Sequence, residues 1–99
     1  MKIKVKGVGL TKFGELWDKH LFDLAHEAAL EAINDSKLTM NDIEAVFVAN
    51  MIYSKISSQD HLGALVASQL GIKGASFRIE AACASGGVAL HLAIQSLLA

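Results

Sequence analysis

The apolar positions change spacing along the chain, and each change marks an element. Residues 2–8 alternate, with Ile3 and Val5 on one side and Lys2, Lys4 and Lys6 on the other. A period of two with β-branched members predicts a strand, and Gly7 and Gly9 punctuate its end. Over 18–34 the interval becomes three and four. Leu21, Leu24, Ala25, Ala28, Ala29, Ala32 and Ile33 then share one face of an amphipathic helix, with His20, Glu27 and Glu31 elsewhere on its surface. Asn34-Asp35-Ser36 ends it with residues that prefer turns. Thr39 followed by Asp42 has the form of a capping box, enough for one short turn.

Residues 43–49 are a β-branched run with one charge, which predicts a mostly buried strand. Residues 50–58 read as a loop, yet Met51, Ile52, Tyr53 and Ile56 are apolar and need cover. A second helix is predicted over 59–70, with Leu62, Leu65, Val66 and Leu70 on one face and Gly71 as its stop. Residues 76–82 give the third strand and 83–99 the last helix. Strands alternating with helices imply parallel pairing, because a parallel crossover needs a helix-sized connection. The predicted fold class is α/β, a parallel three-strand βαβαβα unit with its helices on the sheet.

The last helix is apolar nearly all round. Only His91, Gln95 and Ser96 interrupt Val88, Ala89, Leu90, Leu92, Ala93, Ile94, Leu97 and Leu98. Such a helix belongs in the middle of a large protein, and one three-stranded sheet cannot cover it. The chain also stops inside this helix without a glycine, a basic last turn or a cap. The expectation is that residues 1–99 are an incomplete part of a larger domain.

Composition narrows the classes. Ninety-nine residues suit one domain, and 53% apolar residues exclude disorder as the main state. No apolar run reaches the roughly 18 residues that span a bilayer, and no signal-peptide pattern follows the basic start. A net charge of -1 leaves no electrostatic footprint for nucleic acid. Neither a membrane nor a nucleic-acid partner is expected. The single cysteine, Cys83, cannot form an internal disulfide, which fits a reducing, cytoplasmic setting.

Cys83 is the candidate for chemistry. Glu80-Ala81-Ala82-Cys83-Ala84-Ser85-Gly86-Gly87 joins strand to helix almost entirely with small residues, and a nucleophile needs a tight turn with neighbours that lack bulk. The start of a helix supplies unpaired N–H groups and a partial positive charge. Those favour a thiolate and an oxyanion formed when sulfur attacks a carbonyl. Gly86 and Gly87 allow close approach of substrate or of another backbone. Composition alone would read a free cysteine as a small buried hydrophobe; its position points to the nucleophile instead. A metal or redox-pair role is disfavoured because no second cysteine is present. His20 and His26 read as solvated and His61, beside Asp60, as a surface residue, whereas His91 reads as a hydrogen-bonded interior residue pointing away from Cys83. No acid–base pair can be assembled from them. Gly7-Val8-Gly9 lacks the third glycine of a dinucleotide fingerprint.

Four stretches together carry a resemblance: 8–14 (VGLTKFG), 42–51 (DIEAVFVANM), 61–67 (HLGALVA) and 77–87 (FRIEAACASGG). In this order they resemble the start of a thiolase, most closely the archaeal and sterol-carrier-protein-like branch of acetyl-CoA acetyltransferases. The resemblance covers nearly the whole chain but only the first quarter or so of a family member, the N-terminal part of a thiolase N-terminal domain. It implies part of a duplicated five-layered α/β/α/β/α fold, with the last helix sandwiched between sheets and the third strand near a dimer axis. It also implies that Cys83 is the acyl-accepting nucleophile of an acetyl-CoA C-acetyltransferase or 3-ketoacyl-CoA thiolase, with coenzyme A thioesters as substrates and no resident cofactor. The bases of the family come from its second half, and no histidine here fills those positions. The chain alone is therefore expected to be inactive. It would work in a homo-oligomer or in a complex with a chain supplying the missing thiolase portion. A subunit of a split thiolase, or a non-catalytic truncated module binding a thiolase-like partner, is the alternative. A ketoacyl-carrier-protein synthase shares a similar cysteine turn, but the segments before it resemble a thiolase more.

Overall fold

A computed structural model describes residues 2–52 and 61–99. The first helix, α1, spans Leu21–Ser36. Its predicted inward face is half-buried throughout, while Glu27 and Glu31 are exposed. At its start the His20 N–H donates to the Asp23 carboxylate at 2.8 Å. One turn of 3-10 helix, Met40–Asp42, follows. The Asp42 carboxylate accepts the Thr39 N–H at 2.8 Å, as a capping box requires. Strand β1 is Ala45–Ala49, helix α2 Leu62–Leu70, strand β2 Ala75–Ile79 and helix α3 Ser85–Leu98. The predicted loop positions Tyr53 and Ile56, and the predicted helix positions Gln59 and Asp60, lie outside the described residues.

β1 and β2 pair in parallel, Ala45 opposite Ala75 through Ala49 opposite Ile79, and the crossover between them runs through α2. Phe47 and Phe77 face each other in that register, their rings stacked at 5.1 Å. Both α2 and α3 lie across the two strands, and α1 packs on α2. Among the described residues the buried hydrophobic ones are Leu62, Val66 and Ala67 of α2, Ile72 just beyond it, and Ala89 of α3. α2 ends as predicted at Gly71, whose φ of 72° is left-handed. The Gly71 N–H donates to Ser68 C=O and the Ile72 N–H to Ala67 C=O, the paired bonds of a Schellman stop.

The first predicted strand is the departure. Among the described residues the sheet has two strands, and residues 2–8 are in neither. They lie against α1 instead. A Cβ at Gly7 would collide with the backbone of Ala32 and Ser36, and one at Gly9 with that of Ala28. The Val8 N–H donates to Asp35 at 3.0 Å. The alternation of Lys and β-branched residues dictates an extended backbone; it does not dictate a partner. The two glycines let that backbone lie directly on the helix.

The packing of α3 inverts the usual arrangement. Ser85 and Ala89, one turn apart, are its buried residues, and Ala93 follows on the same face. The large side chains point out: Leu90 is 60% and Leu97 66% exposed. Val5, Phe13 and Trp17 of the first segment are also exposed. The accessible surface, 7214 Å², exceeds the roughly 5,400 Å² of a folded monomer of this mass. An apolar recess of about 480 Å³ lies between α1, β1 and α3, lined by Ala32, Ile33, Val46, Phe47, Leu90 and Ala93 among others. No helix among the described residues is long and apolar enough to cross a membrane.

Gly63 shows how closely α2 sits on the sheet. A Cβ there would fall 2.5 Å from the Phe77 carbonyl carbon and 2.9 Å from the Arg78 nitrogen. Within an unhindered helix, glycine to alanine stabilises by about 1 kcal/mol. Here the helix must lift off β2, an overpacking cost of about 1–3 kcal/mol. Gly63→Ala should therefore be a net loss of up to about 2 kcal/mol in urea unfolding. A variant more stable than the parent would show that this contact does not constrain α2.

Candidate functional site

Cys83 lies at the carboxyl end of the sheet. β2 ends at Ile79, and the neighbouring β1 ends at the same level, where the Asn50 N–H donates to Ile79 C=O at 3.1 Å. The Arg78 guanidinium bonds Asn50 C=O at 2.9 Å through Nη2, tying the two strand ends together. The crevice beyond the carboxyl ends of parallel strands is where open α/β sheets bind ligands.

The sequence pattern carries the third strand to residue 82 and starts the helix at Cys83. In the structure β2 stops earlier and α3 starts later, at Ser85. The residues between form a tight turn. The Ala84 N–H donates to Ala81 C=O at 2.9 Å and the Ser85 N–H to Ala82 C=O at 3.2 Å. Ala82 has φ 50°, left-handed backbone that costs an L-residue about 1–2 kcal/mol. Three side-chain bonds hold it there. The Ala82 N–H donates to Glu80 Oε2 at 2.7 Å. Ser85 Oγ accepts the Ala81 N–H at 2.9 Å and donates to Ala82 C=O at 2.7 Å. At about 0.5–1.5 kcal/mol each, these bonds are large enough to offset the strain. Sequence reasoning treated Ser85 as one small residue among several. The signal available was a hydroxyl near the start of a helix, where serine oxygens bond free backbone groups.

The thiol of Cys83 is free and exposed. Among the described residues, the N–H groups of Cys83, Gly86 and Gly87 donate to nothing. A Cβ at Gly86 or Gly87 would meet open space. The turn therefore presents an exposed thiol with backbone donors beside it and room in front of them. Such donors bind the oxygen of a carbonyl under attack.

The structure brings Glu80, Ser85 and Cys83 together and leaves the histidines out. His20 and His26 are exposed on or beside α1, and His61 is exposed ahead of α2. His91 is exposed rather than interior. Ala89 sets the buried face of α3, and a residue two positions on is rotated about 200° from it. His91 also stands about 9 Å along the helix from its first residue, Ser85. Among the described residues no three His, Cys, Asp or Glu side chains group as metal ligands would. Away from the site, Glu27 at 2.9 Å raises the pKa of the Lys19 ammonium through its hydrogen bond and charge.

Residues 5–99 match the family model of the thiolase N-terminal domain. The chain belongs to the thiolase family. It is 43% identical over 96 residues to an acetyl-CoA acetyltransferase of Methanothermobacter thermautotrophicus, covering 96% of this chain and 25% of the relative. A second acetyl-CoA acetyltransferase, from Methanocaldococcus jannaschii, is 38% identical over 96% of this chain and 24% of its own. The benzoylsuccinyl-CoA thiolase subunit BbsB of Thauera aromatica is 34% identical over 97% and 24%. This chain thus spans about a quarter of the length of these thiolase relatives. Among solved structures, the tetronic acid condensing enzyme AbyA1 superposes with a TM-score of 0.65 over 81% of this chain and 25% of its own. At 24% identity that likeness shows a shared fold.

Proposed function

We propose that this chain carries the acyl-accepting cysteine of an acetyl-CoA acetyltransferase, and that the acceptor is Cys83. The observation that carries the reading is the exposed thiol on its tight turn, beside unpaired N–H groups at the head of α3. The Cys83 thiolate attacks the thioester carbonyl of an acyl-CoA. The new bond is from Sγ to the acyl carbon, the bond broken is from that carbon to the coenzyme sulfur, and the coenzyme leaves as a thiolate. The carbonyl oxygen, negative in the intermediate, lies against the backbone donors. A second acetyl-CoA, deprotonated at its methyl carbon, then attacks the acyl group, forming a carbon–carbon bond and returning Cys83 as thiolate. A covalent intermediate divides one hard condensation into two easier transfers. Coenzyme A thioesters enter as substrates, with no resident cofactor.

The second step needs a base, and Glu80, the described carboxylate beside Cys83, is taken up by the Ala82 N–H. In this reading the base belongs to the remaining thiolase fold, which also covers Leu90, Leu97, Phe13 and Trp17, all exposed in this chain. That remainder stands in the same polypeptide or in a partner chain, as in a split enzyme. Co-purification of a second thiolase-like chain would select the latter.

Acetyl-CoA given in excess should place one acetyl group on the peptide containing Cys83, found by mass analysis after an acid quench, and release one coenzyme A. The chain by itself should show no turnover of acetoacetyl-CoA with coenzyme A. Acetylation elsewhere, or none at Cys83, would overturn the assignment.

A further inference from the structure

We infer that Ser85 is the positioning residue for Cys83, acting through the turn and not by touching substrate; this rests on Cys83 being the acyl acceptor. The two residues are separated by Ala84, and no described side chain hydrogen-bonds the thiol. Where the sulfur stands is therefore decided by the backbone on either side of it. Ser85 controls both sides. Its hydroxyl is buried, with the residue 6% exposed, and bonds Ala81 N–H and Ala82 C=O at once. Its own N–H returns to Ala82 C=O. The hydroxyl thus closes a ring across Ala82, the left-handed residue immediately before Cys83. Because Ser85 also opens α3 and is buried, the same side chain fixes the turn to the helix whose free N–H groups flank the thiol. Glu80 holds only the Ala82 N–H and is exposed, so it cannot substitute. An alanine at 85 fills the site but leaves a buried N–H and a buried carbonyl without their partner, and the turn is then free to relax toward ordinary backbone.

The test compares Ser85→Ala with Ser85→Thr, which keeps donor and acceptor. Each is assayed in the intact protein for acetyl transfer from acetyl-CoA to Cys83, for half-saturation by acetyl-CoA, and for amide hydrogen exchange at Ala81. Ser85→Ala should slow transfer by about 100-fold, the effect of a misplacement of order 1 Å. Half-saturation should stay unchanged, and Ala81 exchange should accelerate at least tenfold. Ser85→Thr should restore transfer to within about threefold of the parent. Parent-level transfer in Ser85→Ala would overturn the inference, as would a Ser85→Thr variant that folds, keeps Ala81 protected and transfers as poorly as alanine. Should Ser85→Ala fail to fold, the threonine variant decides alone by the same criterion. A parent protein that never acetylates Cys83 sinks the acyl-acceptor reading instead, a result distinct from either outcome at Ser85.

Discussion

Cys83→Ala is expected to lower acyl transfer by on the order of 10⁴-fold, to whatever background the bound substrates support. Removing a covalent nucleophile deletes the intermediate itself, so partial function is not retained in proportion to packing. Cys83→Ser should lose nearly as much, because a hydroxyl lacking a strong base is a poor nucleophile. Neither change should touch the fold. The thiol is exposed, and substitutions at such positions usually stay within about 0.5 kcal/mol. The measurement is acetyl transfer alongside a thermal melt. A variant that transfers acetyl groups at the parent rate would remove Cys83 from the chemistry. One that loses activity and also melts much earlier would turn the residue into a structural one.

The largest effect on stability is expected at Leu62. It is fully buried and belongs to a core of few residues, so its loss leaves a cavity that little else can fill. Leu62→Ala should cost about 3 kcal/mol, within the usual 2–5 kcal/mol of such truncations. For a domain of this size each kcal/mol is about 4–8 °C, so the melting temperature should fall by roughly 15 °C. Leu90→Ala is the control. The same side chain is lost, but from a position 60% exposed in this chain, so in residues 1–99 on their own the change should lie within about 0.5 kcal/mol. Equal losses at the two sites in chemical denaturation would mean that Leu90 is covered in solution and that the α3 surface is not free.

What was legible in the residues follows the range of the interactions involved. The inward face of α1, the capping box at Thr39 and Asp42, and the stop at Gly71 depend on neighbours within a few positions, and all are present. So does the placing of Cys83 between β2 and α3. Pairing is less local. The period-two pattern of residues 2–8 specifies an extended chain but not what lies beside it, and that segment rests on α1. His91 looked interior because its neighbours are leucines and alanines. Which side of α3 meets the sheet is decided by the small residues Ser85 and Ala89, which turns His91 outward. At the site, the tight turn of small residues around Cys83 was legible. The left-handed backbone at Ala82 was not, since an alanine gives no sign of it. The two hydrogen bonds of Ser85 to Ala81 and Ala82 follow from that backbone and were equally hidden.

The seating of α3 has a mechanical consequence. A helix whose buried residues are a serine and an alanine drives few bulky groups into its sheet. Shifting it lengthwise disturbs only weak dispersion contacts, each about 0.1–0.2 kcal/mol. Its axial setting is then governed at the pinned front end, like a rod clamped at one point, and not by interlocking teeth along its shaft. The height of the sulfur above the sheet becomes a property of that clamp, insensitive to the leucines that supply most of the rod's bulk.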